Sequence, residues 1–239
     1  MIKNKKIIFI FIFSIAISQK ILIPMDEEQN DHLKAYGIAY LSLKNNNTVN
    51  WLLNYRGGSF LLDLDNSIKN ICTLRGVTYT VINSNQINSI FQTIEENNME
   101  IVLLEKIPKI AVYSPPDKQP WDDAVTLALT YAEIDYDTIF DEEVLSGELS
   151  NYDWLHLHHE DFTGQYGKFY KSYRHTNWYK QIQSDFEIFA MTNNFNSVHE
   201  LKKEIAIKIK NYIVNGGFVF AMCSATDSFD IALASLNVD

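Results

Sequence analysis

The stretch Gly216-Gly217-Phe218-Val219-Phe220-Ala221-Met222-Cys223-Ser224-Ala225 decides the fold. Two glycines close whatever precedes them, five apolar residues read as a buried strand, and a cysteine stands where that strand gives way to the next element. Upstream, Ser197-Val198-His199-Glu200 has the spacing of a capping box. Leu201, Ile205, Ile209, Tyr212 and Ile213 then share one helical face up to the Gly216-Gly217 cap, which predicts a helix over Val198 to Val214. Downstream, Thr226 to Leu236 reads as a further helix, with Thr226 or Asp227 near its cap.

Working back from this unit, the same alternation extends to Lys109. Strand Ile110 to Tyr113, helix Trp121 to Glu133, strand Asp137 to Phe140, a short helical turn and strand Trp154 to His158 follow one another. Strand-helix-strand in series implies a parallel sheet, because parallel neighbours need crossover connections. Pro108 marks a boundary. Before it, Ile21 to Ile23, a helix capped by Asp26 that turns Leu33, Tyr36 or Gly37, and Tyr40 to one side, and a Val49 to Leu62 hairpin turning at Arg56-Gly57-Gly58 suggest a smaller α/β or α+β unit. Helices around Ile68 to Arg75 and Ile87 to Ile94, and strands at Val77 to Ile82 and Ile101 to Leu104, complete it. The expected organisation is a segment 1–18, an N-terminal α/β domain 19–106 and a parallel-sheet domain 107–239.

The first eighteen residues read as a secretory signal peptide. Lys3, Lys5 and Lys6 precede an apolar run from Ile7 to Ile17, and Ala16 and Ser18 supply small residues for cleavage. The run is too short to cross a bilayer, so the expectation is a periplasmic or secreted protein with no membrane span after cleavage; retention as an uncleaved anchor is the alternative. Cleavage would remove three lysines and no acids, taking the formal charge from −10 to −13. Such an acidic chain, with 20 basic against 30 acidic residues, lacks the cationic surface that nucleic-acid binding requires. Cys72 and Cys223 are the only cysteines, and neither has metal-finger spacing.

Three groups of residues can carry chemistry. Cys223 stands where a nucleophile elbow needs its nucleophile, at the C-terminal end of a parallel strand and the start of a helix, with small Ala221 and Ala225 on either side. The other reading of Cys223 is an inert buried thiol. His156-Leu157-His158-His159-Glu160-Asp161 ends another strand at the same sheet edge, where open α/β sheets bind ligands. His156 and His158 share a face and could hold a divalent metal with Glu160 or Asp161; His158 or His159 could instead serve Cys223 as a base; or the segment is a polar loop. Phe162 to Tyr179, which includes Tyr166, Tyr170, Tyr173 and Trp178, lies in an insertion of about 35 residues, long for a strand-to-helix connection. It reads either as a functional loop that stacks on a sugar or planar ligand, or as a lid packing its own aromatics. Pro115 to Pro120 could wall the same edge or simply fix a turn.

The Val214 to Ser224 stretch resembles the strand and elbow of the class I glutamine amidotransferase-like superfamily, whose Gly-x-Cys-x-Gly glycines are Ala221 and Ala225 here. Ile21 to Glu27, Trp51 to Phe60, Lys109 to Glu143, Tyr152 to Tyr170 and Gly216 to Leu233 together resemble an exported bacterial family commonly labelled asparagine synthetase B. The resemblance implies a doubly wound, flavodoxin-like second domain and a thiol hydrolase or amidotransferase acting on a small amide. On the reading of the residues given above, Cys223 with His158 and His159 is then expected to be catalytic, and His156, Glu160, Asp161, Tyr166 and Ser224 are expected to bind the ligand. The superfamily places its catalytic His beyond the elbow, and no His follows His199 here. With about 133 residues where the fold uses nearer 200, the second domain is expected to be C-terminally truncated. A non-catalytic module binding carbohydrate or peptide is the alternative. The literal label is the poorer fit: Ile2 stands where a glutamine-hydrolysing synthetase frees a cysteine, and Cys223-Ser224-Ala225-Thr226-Asp227-Ser228 lacks the glycines of a pyrophosphate loop.

Overall fold

The computed structural model describes residues 19–115, 124–164 and 169–238. The proposed signal segment, the prolines at 116 and 120, and Tyr166 lie outside them. The chain divides into two compact units, one up to Lys106 and one from Ile107.

In the first unit, strands β1 (Lys20–Ile23), β2 (Val49–Leu53), β3 (Ser59–Asp63), β4 (Thr80–Ile82) and β5 (Glu100–Leu104) form an antiparallel sheet in the order β4-β1-β3-β2-β5. Its helices are α1 (His32–Lys44), α2 (Asn66–Leu74) and α3 (Ser84–Glu96). Alternation along the strands sends Leu22, Leu52 and Leu61 to one face, where Ile87, Ile90 and Ile94 of α3 cover them. The opposite face meets α1, with Tyr36 edge-on to Phe60. Two expectations change here. Asp31, not Asp26, caps α1, accepting from the Lys34 amide at 2.9 Å; Asp26 instead takes a bidentate pair from Arg56. The buried side of α1 is Ala35, Gly37, Ile38, Ala39 and Tyr40, whereas Leu33 and Tyr36 are exposed, because the small residues let the helix approach the sheet closely.

The second unit contains β6 (Ile110–Tyr113), α4 (Ala124–Ala132), β7 (Asp137–Ile139), α5 (Asp141–Ser146), β8 (Trp154–Leu157), α6 (Phe169–Tyr173), α7 (Asn177–Thr192), α8 (Val198–Val214), β9 (Phe218–Ala221) and α9 (Cys223–Ala234). The four strands pair in parallel in the order β7-β6-β8-β9, so this unit is α/β with a parallel sheet, as the strand-helix series predicts. One face presents Ala111, Tyr113, Leu155, Leu157, Val219 and Ala221 to a core shared with α5, α7, α8 and α9. On the other, α4 brings Leu129 against Ile110 and Val112. That second face thins out toward β9, where Phe218 is 57% and Phe220 46% exposed.

Helix α8 has the predicted limits, and Leu201, Ile205, Ile209 and Tyr212 are buried on it. Ile213 is 40% exposed, one position beyond the buried arc. Ser197 caps the helix through the Glu200 amide, but the Glu200 carboxylate reaches one residue further back, to the Asn196 amide. Gly217 is required after it: a Cβ there would lie 2.2 Å from the Tyr212 ring. Inside this core Lys202 is buried with Asp141, its Nζ 2.9 and 2.8 Å from the two carboxylate oxygens and 3.1 Å from the Tyr113 hydroxyl. Phe140 and Phe186 cover the ammonium at 4.6 and 4.9 Å. The insertion before α8 is largely helical. Tyr179, Ile182, Phe186, Phe189 and Ala190 of α7 turn inward at helical spacing.

Candidate active site

The register of β8 against β9 pairs His156 with Phe220 and Leu157 with Ala221. Both strands therefore end level, and the residues that follow them meet at the C-terminal edge of the sheet. Cys223 lies on this corner, exposed, with φ +51°. Left-handed backbone costs an L-residue with a Cβ roughly 1 kcal/mol. Among the described residues the others that are not glycine and have positive φ are Asn46, Asn54, Asn98 and Asn194, whose side chains suit that region, and Arg56 and Glu133. Cys223 alone among the described non-glycine residues adopts it as the first residue of an α-helix. Helix α9 begins at the cysteine itself, three residues earlier than the sequence suggests, so the thiol belongs to the first turn.

The histidine segment is fastened to this corner by four consecutive carbonyls. Leu157 O accepts from Met222 N at 2.9 Å and His158 O from Ala225 N at 3.2 Å. His159 O accepts from the Ser224 hydroxyl at 3.1 Å, and Glu160 O from the Ser228 hydroxyl at 2.7 Å. Ser224 and Ser228 are four apart on α9 and share a face, the spacing that would have signalled Ser228 in the sequence. The Glu160 carboxylate folds back to accept from the His158 amide at 2.8 Å. Asp161 is occupied within its own loop, accepting from the Thr163 amide.

His158 and His159 stack with ring centroids 3.7 Å apart, and His156 lies 6.2 Å from His158 and 5.6 Å from Phe220. His156 is 3% exposed, and neither of its ring nitrogens has a hydrogen-bond partner; the Nδ1 of His158 is also buried and unpartnered. Burial, followed by the neighbouring His158, pushes His156 down to about 4, so it is a neutral imidazole at pH 7. Burial pushes Glu160 the other way, up to about 7, opposed by the His158 amide and by Lys202. Among the described residues no three His, Cys, Asp or Glu side chains converge as a metal-ligand set; His156 and His158 are the pair that could share an ion. Cys72 is the contrasting thiol: fully buried in the first unit, with its pKa raised to about 11 by that burial.

Cys223, Ser224, His158, His159 and Glu160 are thus assembled at one edge. The aromatics of the insertion form a cluster of their own, with Tyr173 5.2 Å from Trp178 and Tyr170 6.2 Å from the buried Tyr179. Comparison with family models, curated proteins and solved structures found no match to this chain. Among the described residues no helix is long and apolar enough to cross a membrane.

Proposed function

We propose that the second unit is an exported thiol hydrolase or amidotransferase of the class I glutamine amidotransferase-like type, acting on a small amide with Cys223 as nucleophile. The observation that carries this reading is the exposed Cys223 at φ +51° on a strand-to-helix corner. A nucleophile elbow has this strained geometry, and the helix that follows offers its N–H groups and positive dipole end to a developing oxyanion. Further support comes from the strand order β7-β6-β8-β9, which corresponds to the first four strands of the doubly wound order 2-1-3-4-5. In that fold the order reverses between the strands equivalent to β6 and β8, and the His158–Glu160 segment leaves β8 there. His158 or His159 is the base in this reading, taking the thiol proton as sulfur attacks the amide carbon and returning it to the departing ammonia.

Ammonia release from glutamine, asparagine and simple primary amides tests the proposal, before and after alkylation with iodoacetamide. Loss of turnover on Cys223 alkylation and in Cys223→Ser, with Cys72→Ser unaffected, is the expected result. Turnover that survives quantitative alkylation of Cys223 refutes it. A second reading, a carbohydrate- or peptide-binding accessory module, is favoured by Tyr170, Tyr173 and Trp178, which are 51%, 43% and 39% exposed on α6 and α7. Binding of oligosaccharides that is lost in Trp178→Ala and kept in Cys223→Ser would select it.

A further inference from the structure

We propose that the imidazoles of His156 and His158, joined by the thioether of Met222, form a binding site for a soft monovalent cation, Cu+. The inference goes beyond the thiol reading and does not depend on it: with His158 as a ligand, His159 remains as the base. Alternation along β8 puts His156 and His158 on one side of the sheet, the side on which the Phe220 ring stacks against His156. The register that pairs His156 with Phe220 and Leu157 with Ala221 brings Met222 level with His158. The backbone of Met222 is still extended, φ −129° and ψ 161°, so its side chain leaves on the same side as Phe220. Two imidazoles and a thioether thereby share one patch of the sheet.

Buried nitrogens without partners mark this patch for a ligand. His156 is 3% exposed, yet neither of its ring nitrogens has a hydrogen-bond partner, and the Nδ1 of His158 is buried and unpartnered beside it. Such groups are costly to bury, and an ion that takes up their lone pairs removes the cost. With metal–nitrogen bonds of about 2 Å and each nitrogen roughly 1 Å from its ring centre, two imidazoles on opposite sides of one ion have centroids about 6 Å apart, against about 5 Å for a tetrahedral pair. The separation here is 6.2 Å, which suits the two-coordination that a filled-shell monovalent ion prefers. The charge of the ion follows from the donors. Two imidazoles and a thioether carry no negative charge, and the neighbouring carboxylates are engaged elsewhere: Glu160 accepts from the His158 amide and Asp161 from the Thr163 amide. The cost of burying an ion rises with the square of its charge, so a divalent ion costs roughly four times as much on this set as a monovalent one. Thioether donors also select copper in its lower oxidation state. Phe220 at 5.6 Å and Trp154 at 6.3 Å wall His156, while Met222, 40% exposed, stands on the open side by which an ion enters.

The test is an anaerobic titration in which the full chain competes with bicinchoninate for Cu+, followed by the absorbance of the copper–bicinchoninate complex. Cys72→Ser/Cys223→Ser serves as the parent, so that no thiolate contributes. The parent is expected to withdraw one equivalent of Cu+ and to keep it in the presence of an equal concentration of Zn2+. His156→Phe and His158→Gln should each weaken binding by more than about a hundredfold, beyond the effect of losing an outer partner, and Met222→Leu by about tenfold. His156→Phe keeps the ring stack on Phe220, and an unchanged near-ultraviolet circular dichroism spectrum separates loss of a ligand from loss of the fold. X-ray absorption of the copper complex should show nitrogen scatterers at about 2 Å and a sulfur that disappears in Met222→Leu. A parent that withdraws no copper overturns the inference, as do histidine variants that bind as the parent does, or Zn2+ that displaces Cu+ at equal concentration. Because the parent has no thiol and no amide enters the assay, each of these results leaves the thiol reading where it stands.

Discussion

Replacing His156 with Phe should convert a nearly level pH–stability profile into one that falls as pH rises. In the unfolded chain His156 takes up a proton below about 6.5, whereas in the folded unit it does so only near 4. The unfolded state therefore binds more protons between those limits, so this residue makes stability rise from pH 4 to 6.5 and loses that contribution as pH falls. The span corresponds to about 3 kcal/mol. Glu160 acts oppositely: its folded pKa of about 7 exceeds the unfolded 4.5, so its contribution is complete below 4.5 and lost as pH rises to 7. Partial solvent access reduces its span to about 2 kcal/mol. From pH 4.5 to 6.5 the two slopes nearly cancel. A phenyl ring in place of the imidazole keeps the stack on Phe220 and removes one slope; it also removes two unpartnered buried nitrogens, which should add about 1 kcal/mol at pH 7. Urea midpoints followed by tryptophan fluorescence in a Trp51→Phe background, which silences the described tryptophan of the first unit, measure the second unit across this range. His156→Phe and wild-type curves that run parallel from pH 4.5 to 6.5 would refute the argument.

Other substitutions have equally definite outcomes. Cys223→Gly removes a Cβ from a left-handed position and only exposed side-chain surface, so thermal unfolding should show a gain of up to about 1 kcal/mol together with complete loss of thiol labelling at this corner. Lys202→Met leaves Asp141 buried without its cation and should cost about 3–5 kcal/mol in urea titrations, with the double variant Lys202→Met/Asp141→Leu recovering most of the loss. Gly57→Ala at φ +78° would place a Cβ 2.3 Å from the Met25 carbonyl oxygen, and differential scanning calorimetry should show the first unit melting well below wild type.

What the sequence disclosed followed from how local each signal was. Helix α8 could be read almost to the residue, because its cap, its apolar spacing and its closing glycines lie within twenty residues. The thiol corner was visible for the same reason: an apolar strand, a cysteine and a helix are neighbours in the chain. Asp26 was misread as a helix cap because its true partner, Arg56, lies thirty residues away across a hairpin. The inward face of α7 is present at 179, 182, 186, 189 and 190, but the dense aromatics and cations that precede it obscure the helical period. Neither the burial of His156 nor the four-carbonyl clamp could be found from the chain alone. Both arise from the register of β8 against β9, which places residues some sixty-five positions apart side by side.

The bare flank of β9 bears on how the protein can be handled. Phe218 and Phe220 stand exposed along a strand that carries no charge and no proline and that pairs, among the described residues, only with β8, and the exposed Met222 lies just past its end. Strands of this kind accept further strands, so concentration becomes a variable of every measurement on this protein. A lysine in place of Phe220, two residues before the strand gives way to α9, would let the thiol chemistry be examined on dispersed molecules, because a charged edge repels its own copies.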